Sequence, residues 1–258
     1  MNIIHAIILA LVEGVSEFLP ISSTGHLILA GKLLGIQNSE FTKSFEVFIQ
    51  LGAIMAVASL YWKRIWSNPQ IIKPLLIAFI PTGILGIVLY KVIKTLFTAD
   101  ILVAIMLAGV GLLLILLERY WNHHPVKIEK SIMTLSPKQL LTIGLFQSVS
   151  MIPGVSRAAA TIVGGMFMGL SRVEAVEFSF LLAVPTMAAA TGLDLIKNID
   201  VITNSGNMFL LGVGFVVSWV VALFVMKAFL AWVKHATFTS FGLYRIFVSI
   251  LYLLIVRG

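Results

Sequence analysis

The stretch Glu13-Gly-Val-Ser-Glu17-Phe-Leu-Pro20-Ile-Ser22-Ser23-Thr24-Gly25-His26 cuts an apolar segment, about 3–36, near its middle. Unbroken, that segment is long enough to cross a bilayer; cut here, neither arm reaches across alone. Pro20 and Gly25 bracket a turn rich in hydroxyls. A second apolar segment, about 138–170, is interrupted in the same manner at Pro153-Gly154-Val155-Ser156-Arg157-Ala158-Ala159-Ala160-Thr161. Irregular backbone at membrane depth survives only where protein or a water-filled cavity satisfies its amides and carbonyls. Both segments are therefore read as re-entrant helical hairpins that mark a site.

Outward from these breaks, the composition says what the solvent is. Of 258 residues, 59% are hydrophobic and 11% charged, against about a quarter charged in a soluble domain. Mean hydropathy is +1.04, more apolar surface than a soluble fold can hide. Uncharged runs at about 45–62, 74–90, 101–117, 178–196, 207–226 and 240–256 give six transmembrane helices. The expectation is an all-α polytopic membrane protein, six spans plus two hairpins, forming one integral membrane domain over residues 1–258. The net charge of +7 does not point to nucleic acid, because the 18 Lys and Arg residues sit mostly in short connections between apolar runs, where they orient helices and meet anionic headgroups. Cysteine is absent, which excludes disulfides and thiolate metal sites. No cleavable leader is expected, since Ile3 to Val12 runs into Glu13 and Glu17 and lacks a basic start.

The two breaks align at a constant offset of 134: Val15 and Ser16 match Val149 and Ser150, and Ser22 matches Ser156. The chain is read as two repeats, 1–124 and 135–258, joined by the polar stretch His123 to Ser136. A hairpin plus three crossings is an odd number of crossings, so the second repeat is inverted and the hairpin tips can meet near the midplane. Basic residues set the orientation. Lys63, Arg64, Lys73, Arg119, Lys127, Lys130, Lys138, Arg172, Lys227 and Lys234 collect on one side, against Lys32, Lys43, Lys91, Lys94, Lys197 and Arg257 on the other. The richer side is cytoplasmic, so the first hairpin enters from the periplasmic face.

The breaks carry the chemistry. Glu13 and Glu17 stand four residues apart, on one face of a helical arm, and two like charges there repel unless a cation or a shared proton lies between them. Such a pair suits a divalent metal held together with phosphate oxygens. The arm beginning at His26 presents a helix N-terminus that favours an anion. In the second break Pro153 and Gly154 stop one arm, Ser156 is a fitting N-cap for the next, and Arg157 brings a forked cation into a low-dielectric centre. It needs a partner: Glu13, Glu17 or a phosphate. A purely structural Arg–Glu bridge between the tips is the plainer reading. Against it stand the two carboxylates, the Arg, the hydroxyls, the His and the two helix N-termini, which together are what diphosphate hydrolysis requires. Outside the breaks, His5, His123, His124 and His235 read as interfacial residues. Glu46 and Glu177 read as caps or ion-pair partners, the glycines around Gly164 and Gly165 as close helix packing, and Arg245, within the last apolar stretch, as a candidate contact behind the site that the sequence does not place.

The E-x-x-x-E stretch running into P-x-S-S-T-G-H, and the P-G-x-S-R stretch ending in Thr161, resemble the two signature motifs of the undecaprenyl-diphosphate phosphatase (bacitracin-resistance) family. The resemblance extends over the chain in length, helix count and inverted repeat, and Phe178 to Pro185 is similar to a further family segment. Carried over by position, it implies Glu13, Glu17, Ser23, His26, Ser156, Arg157 and Thr161 as active residues, with Ser22, Thr24, Gly25 and Gly154 as substrate contacts. Where the family often has a Ser after the motif Arg, this chain has Ala158, so no hydroxyl acts there. The implied reaction converts a polyprenyl diphosphate to the monophosphate carrier lipid and inorganic phosphate in the bacterial inner membrane. Ser23 is the expected nucleophile with His26 as its base, or His26 itself attacks, and Glu13 and Glu17 are expected to hold Mg²⁺ or Ca²⁺. The expected partners are the lipid substrate and membrane lipids, without nucleic acid, and a homodimer is an assembly open to the chain. The rival reading is a secondary transporter or lipid flippase, since inverted repeats with broken helices are also a transporter signature. A purely structural membrane protein is a distant third, because it leaves the buried charges unexplained.

Overall fold

The computed structural model describes residues 1–36, 39–96, 100–124, 130–197 and 205–257. Apolar runs without water must satisfy their backbone internally, and here they do so as helices. The elements are α1 (Ile3–Ser16), α2 (Ser23–Leu33), α3 (Glu40–Ser67), α4 (Ile72–Val88), α5 (Tyr90–Leu96), α6 (Asp100–His123), α7 (Pro137–Val149), α8 (Arg157–Phe167), α9 (Arg172–Lys197), α10 (Ser205–Val233) and α11 (Thr239–Arg257). Among the described residues, five stretches are long and apolar enough to cross a membrane: Glu40–Ser67, Pro69–Val88, Ile101–His123, Arg172–Leu193 and Met208–Val233. Thr239–Ile255, expected as a sixth, is apolar but belongs with Ile3–Ser16 among the shorter helices. The chain is a multi-pass, all-helical membrane protein.

Element starts follow local chemistry. At α7, Ser136 accepts from the Gln139 amide, the Gln139 side chain returns to the Ser136 amide, and Pro137 occupies the first turn. Helix α9 begins at Arg172, earlier than the apolar run from 178, because Ser171 Oγ accepts the Glu174 amide at 3.2 Å and carries the helix into its polar flank. The span expected at 74–90 ends at Val88, and a separate helix, α5, starts at Tyr90, although neither Pro nor Gly stands at Leu89. In the polar connection, Lys127 lies outside the described residues, and Lys130 donates its amide to the Gly169 carbonyl at 2.9 Å.

The two broken segments are exchanged across the molecule. Helix α1 packs on α10 and α7 packs on α4; α3 and α9 meet each other, and α6 runs along α11. Small residues permit these approaches: a Cβ on Gly144 of α7 would stand 2.1 Å from the Ala78 carbonyl of α4, and one on Gly52 of α3 would stand 2.3 Å from the Phe215 carbonyl of α10. Phe18 at the first break meets Phe180 of α9 edge to face at 5.2 Å. The first break therefore sits in the main apolar core beside the helix that follows the second.

Candidate active site

The two breaks share an unusual backbone feature. Ser22 and Ser156 precede α2 and α8 with φ of 73° and 80°, and among the described residues they alone combine a side chain with positive φ. Such a conformation costs about 1–3 kcal/mol and persists only where the surroundings over-determine it. Arg245 of α11 supplies that determination. Fully buried, it donates to the carbonyls of Pro20 at 3.0 Å, Gly154 at 2.6 Å, Val155 at 3.2 Å, Leu107 at 3.3 Å and Met106 at 3.4 Å. One guanidinium thus ties both turns to α6. Gly154, at φ 93°, has no room for a side chain, since a Cβ would stand 2.6 Å from the Val103 carbonyl.

With the turns fixed, charge meets charge across them. An Arg157 terminal nitrogen donates to Glu17 Oε1 at 2.9 Å, and the other donates to the Ser179 carbonyl at 2.8 Å. The other oxygen of Glu17 accepts the Ser23 hydroxyl at 2.5 Å. Thr161 donates to Ser179 Oγ at 2.6 Å, and the guanidinium lies over the Phe18 ring at 5.5 Å. Two groups in this buried centre have unmet capacity: Arg157 Nε, and both carboxylate oxygens of Glu13, which is 0% exposed. Glu17, Glu46 and Arg157 are the charged residues acting on Glu13.

His26 lies in the same cluster but is not bonded to Ser23. Its Nδ1 is 2.7 Å from the Ser22 carbonyl, one helical turn back, and its Nε2 is 2.8 Å from the Tyr244 hydroxyl. A carbonyl only accepts, so Nδ1 carries the hydrogen and Nε2 accepts from Tyr244. The pairing of His26 with Ser23 expected from their spacing is replaced by this arrangement, because a helical ring reaches the carbonyl four residues before it. Thr24 is half-buried, and Gly25 is buried with Leu107 against it. Glu177 pairs with Arg64, and Gly164 packs against Phe146. The sequence reading missed Ser179 and Tyr244, whose relevance depends on contacts 18 to 218 residues away in the chain.

A divalent cation fits one of the two carboxylates expected to hold it. Both Glu13 oxygens are buried without partners, whereas both Glu17 oxygens are engaged. No group of three or more His, Asp or Glu side chains converges among the described residues. An ion at Glu13 would therefore draw most of its ligands from water and phosphate, as Mg²⁺ commonly does.

Residues 6–251 match the family described as bacitracin resistance protein BacA. An undecaprenyl-diphosphatase of Sulfurihydrogenibium sp. is 52% identical over 254 residues, 98% of this chain and 99% of that protein. An undecaprenyl-diphosphatase of Wolinella succinogenes is 48% identical, covering 98% of each chain, and one of Persephonella marina is 48% identical over 99% of this chain and 100% of its own. With the family matched almost from end to end and relatives of this similarity over their whole length, the chain belongs to the bacitracin resistance protein BacA family.

Proposed function

We propose that this chain is an undecaprenyl-diphosphatase of the bacterial inner membrane, which releases inorganic phosphate from a polyprenyl diphosphate and leaves the monophosphate carrier lipid. The observation that carries the reading is Glu17 held between the Ser23 hydroxyl and the Arg157 guanidinium, with an unused Arg157 Nε and an unpartnered Glu13 carboxylate beside them. Ser23 Oγ attacks the terminal phosphorus, its proton passes to Glu17, and the bond from that phosphorus to the bridging oxygen breaks. Water then hydrolyses the phosphoserine. Arg157 turns from Glu17 to the phosphate as substrate enters, which frees Glu17 to accept the proton and places a forked donor on the developing charge. A divalent cation at Glu13 would neutralise phosphate oxygens.

The chain is further proposed to comprise two inverted repeats, 1–124 and 135–258, with six spans and two re-entrant hairpins. The exchanged packing of α1 on α10 and α7 on α4 supports this, as does the paired strain at Ser22 and Ser156. The bias of basic residues supports a site opening to the periplasm. The transporter reading gains nothing from a hydroxyl held on a carboxylate. Phosphate release by the detergent-solubilised protein given a polyprenyl diphosphate tests the function, and its absence, with the protein folded, overturns it. Orientation is tested separately, by labelling single cysteines at Lys43 and Lys127 with an impermeant reagent. Reaction at Lys43 alone in intact cells is expected, and the reverse moves the site to the cytoplasmic face.

A further inference from the structure

Arg245 and Tyr244 are neighbours on α11, and they face different tasks. Arg245 is fully buried and fixes α11 against α6 and both turns through five carbonyls. Tyr244 is thereby set beside α2. Its hydroxyl lies 2.8 Å from His26 Nε2, and the two rings are nearly parallel, with centroids 5.5 Å apart and 7° between the planes. The opposite ring nitrogen is held at 2.7 Å by the Ser22 carbonyl, itself in the strained turn. Both ring nitrogens of the imidazole are thus engaged, and the tautomer is fixed with hydrogen on Nδ1 and the lone pair on Nε2. Two χ angles are all that position a histidine, and hydrogen bonds at both ring nitrogens set its rotamer and tautomer together.

Nothing in the diphosphatase signature accounts for this tyrosine, which lies 218 residues from its partner. We propose that Tyr244 is the positioning residue for His26: its hydroxyl donates to Nε2 and holds that nitrogen as an acceptor. The inference rests on the diphosphatase reading, for which the family resemblance implies His26 as an active residue. Its consequence for turnover is that the hydroxyl, rather than the aromatic ring, matters. With that donor gone, the Ser22 carbonyl alone leaves the imidazole free to tilt about its Nδ1 bond. Misplacement of a reacting group by a fraction of an ångström is enough to slow a step severely.

The test is Tyr244→Phe, which keeps the ring and removes the donor, read in two ways. With a polyprenyl diphosphate, kcat is expected to fall about tenfold or more, with KM nearly unchanged. Separately, diethyl pyrocarbonate attacks an imidazole lone pair, so His26 in the variant should be carbethoxylated severalfold faster than in the unaltered protein, located by peptide mass spectrometry. The other four histidines serve as internal controls and should react at unaltered rates. The modification rate needs no turnover, so it reports on the Tyr244–His26 bond even if the diphosphatase reading fails. The proposal stands only if both changes occur. An unchanged modification rate shows that the bond does not mask Nε2, and an unchanged kcat shows that the bond does not serve the reaction. Either result overturns it.

Discussion

The two breaks share a backbone and divide the chemistry. At the offset of 134, Ser22 corresponds to Ser156, and both stand at positive φ before a helix. Glu13 corresponds to Gln147, Glu17 to Met151 and Ser23 to Arg157. Glu13 and Gln147 are equally buried, at 0% exposure, yet they differ in how they are satisfied. The Gln147 amide donates to Thr82 at 2.9 Å and accepts from Thr186 at 3.3 Å, while Glu13 has no partner for either oxygen. A buried amide with its bonds made stabilises a fold, whereas a buried carboxylate without bonds costs stability and persists where function requires it. The comparison teaches that similar turns need not make two sites. The first supplies acid and hydroxyl, the second supplies the cation, and only their meeting completes the cluster.

The sharpest way to break that division is at Arg157. Exchange for Lys should be nearly as damaging as exchange for Ala, because a point charge cannot serve Glu17 and Ser179 together and then grip a phosphate with two prongs. Phosphate release by the purified variants should fall on the order of a hundredfold or more. Turnover like that of the unaltered protein in Arg157→Lys would reduce the second break's contribution to a tie between the tips.

A second substitution gives the first break the chemistry of its counterpart. Glu13→Gln places an amide at the position that Gln147 holds beside the second break. Activity should drop by roughly tenfold to a hundredfold, as loss of a charge that acts on the transferred phosphoryl group does. A chelator should cause a similar loss in the unaltered protein and add little in the variant. The melting temperature of Glu13→Gln should hold or rise, since a buried carboxyl that receives no donor at either oxygen is removed. Full turnover in excess chelator would take the cation out of this account, and a lower melting temperature would show that Glu13 is structurally satisfied after all.

What the sequence disclosed, and what it hid, follows the range of the interactions involved. Apolar runs announced the helices because the bilayer makes that requirement locally, residue by residue. Pro20, Pro153 and Gly154 announced the breaks for the same reason. That Arg157 needed a carboxylate followed from desolvation, but the choice of Glu17 over Glu13 depends on how the two turns are pinned, which Arg245 decides from 91 residues beyond Gly154 and 225 beyond Pro20. His26 illustrates the hazard of short spacings. Its three-residue separation from Ser23 suggested a couple, while helix geometry gave its Nδ1 to the Ser22 carbonyl and tertiary packing gave its Nε2 to Tyr244. The stop at Leu89 carries no local signal at all.

The smallest expected effect tests whether the paired strain is equal in the two turns. Ser22 makes no side-chain cap, so replacement by Gly removes a side chain that only resists φ of 73°. Ser156 sits at φ of 80° but also accepts the Ala159 amide at 3.2 Å, so Gly there relieves the same strain while giving up a cap. Relief of a positive φ contributes on the order of 1 kcal/mol, and exchange of a Ser cap for Gly costs a few tenths. For a protein of this size 1 kcal/mol moves the melting temperature by roughly 2–4 °C. Ser22→Gly should therefore stabilise the protein by a few degrees and Ser156→Gly by less, measured by thermal melting in the same detergent. Gly also widens the unfolded ensemble, which lowers both values without changing their order. If Ser156→Gly proves the more stabilising, its cap contributes nothing and the turns differ in strain. If both destabilise, the two serines are held by interactions of their side chains, and the correspondence between the breaks extends from backbone to hydroxyl.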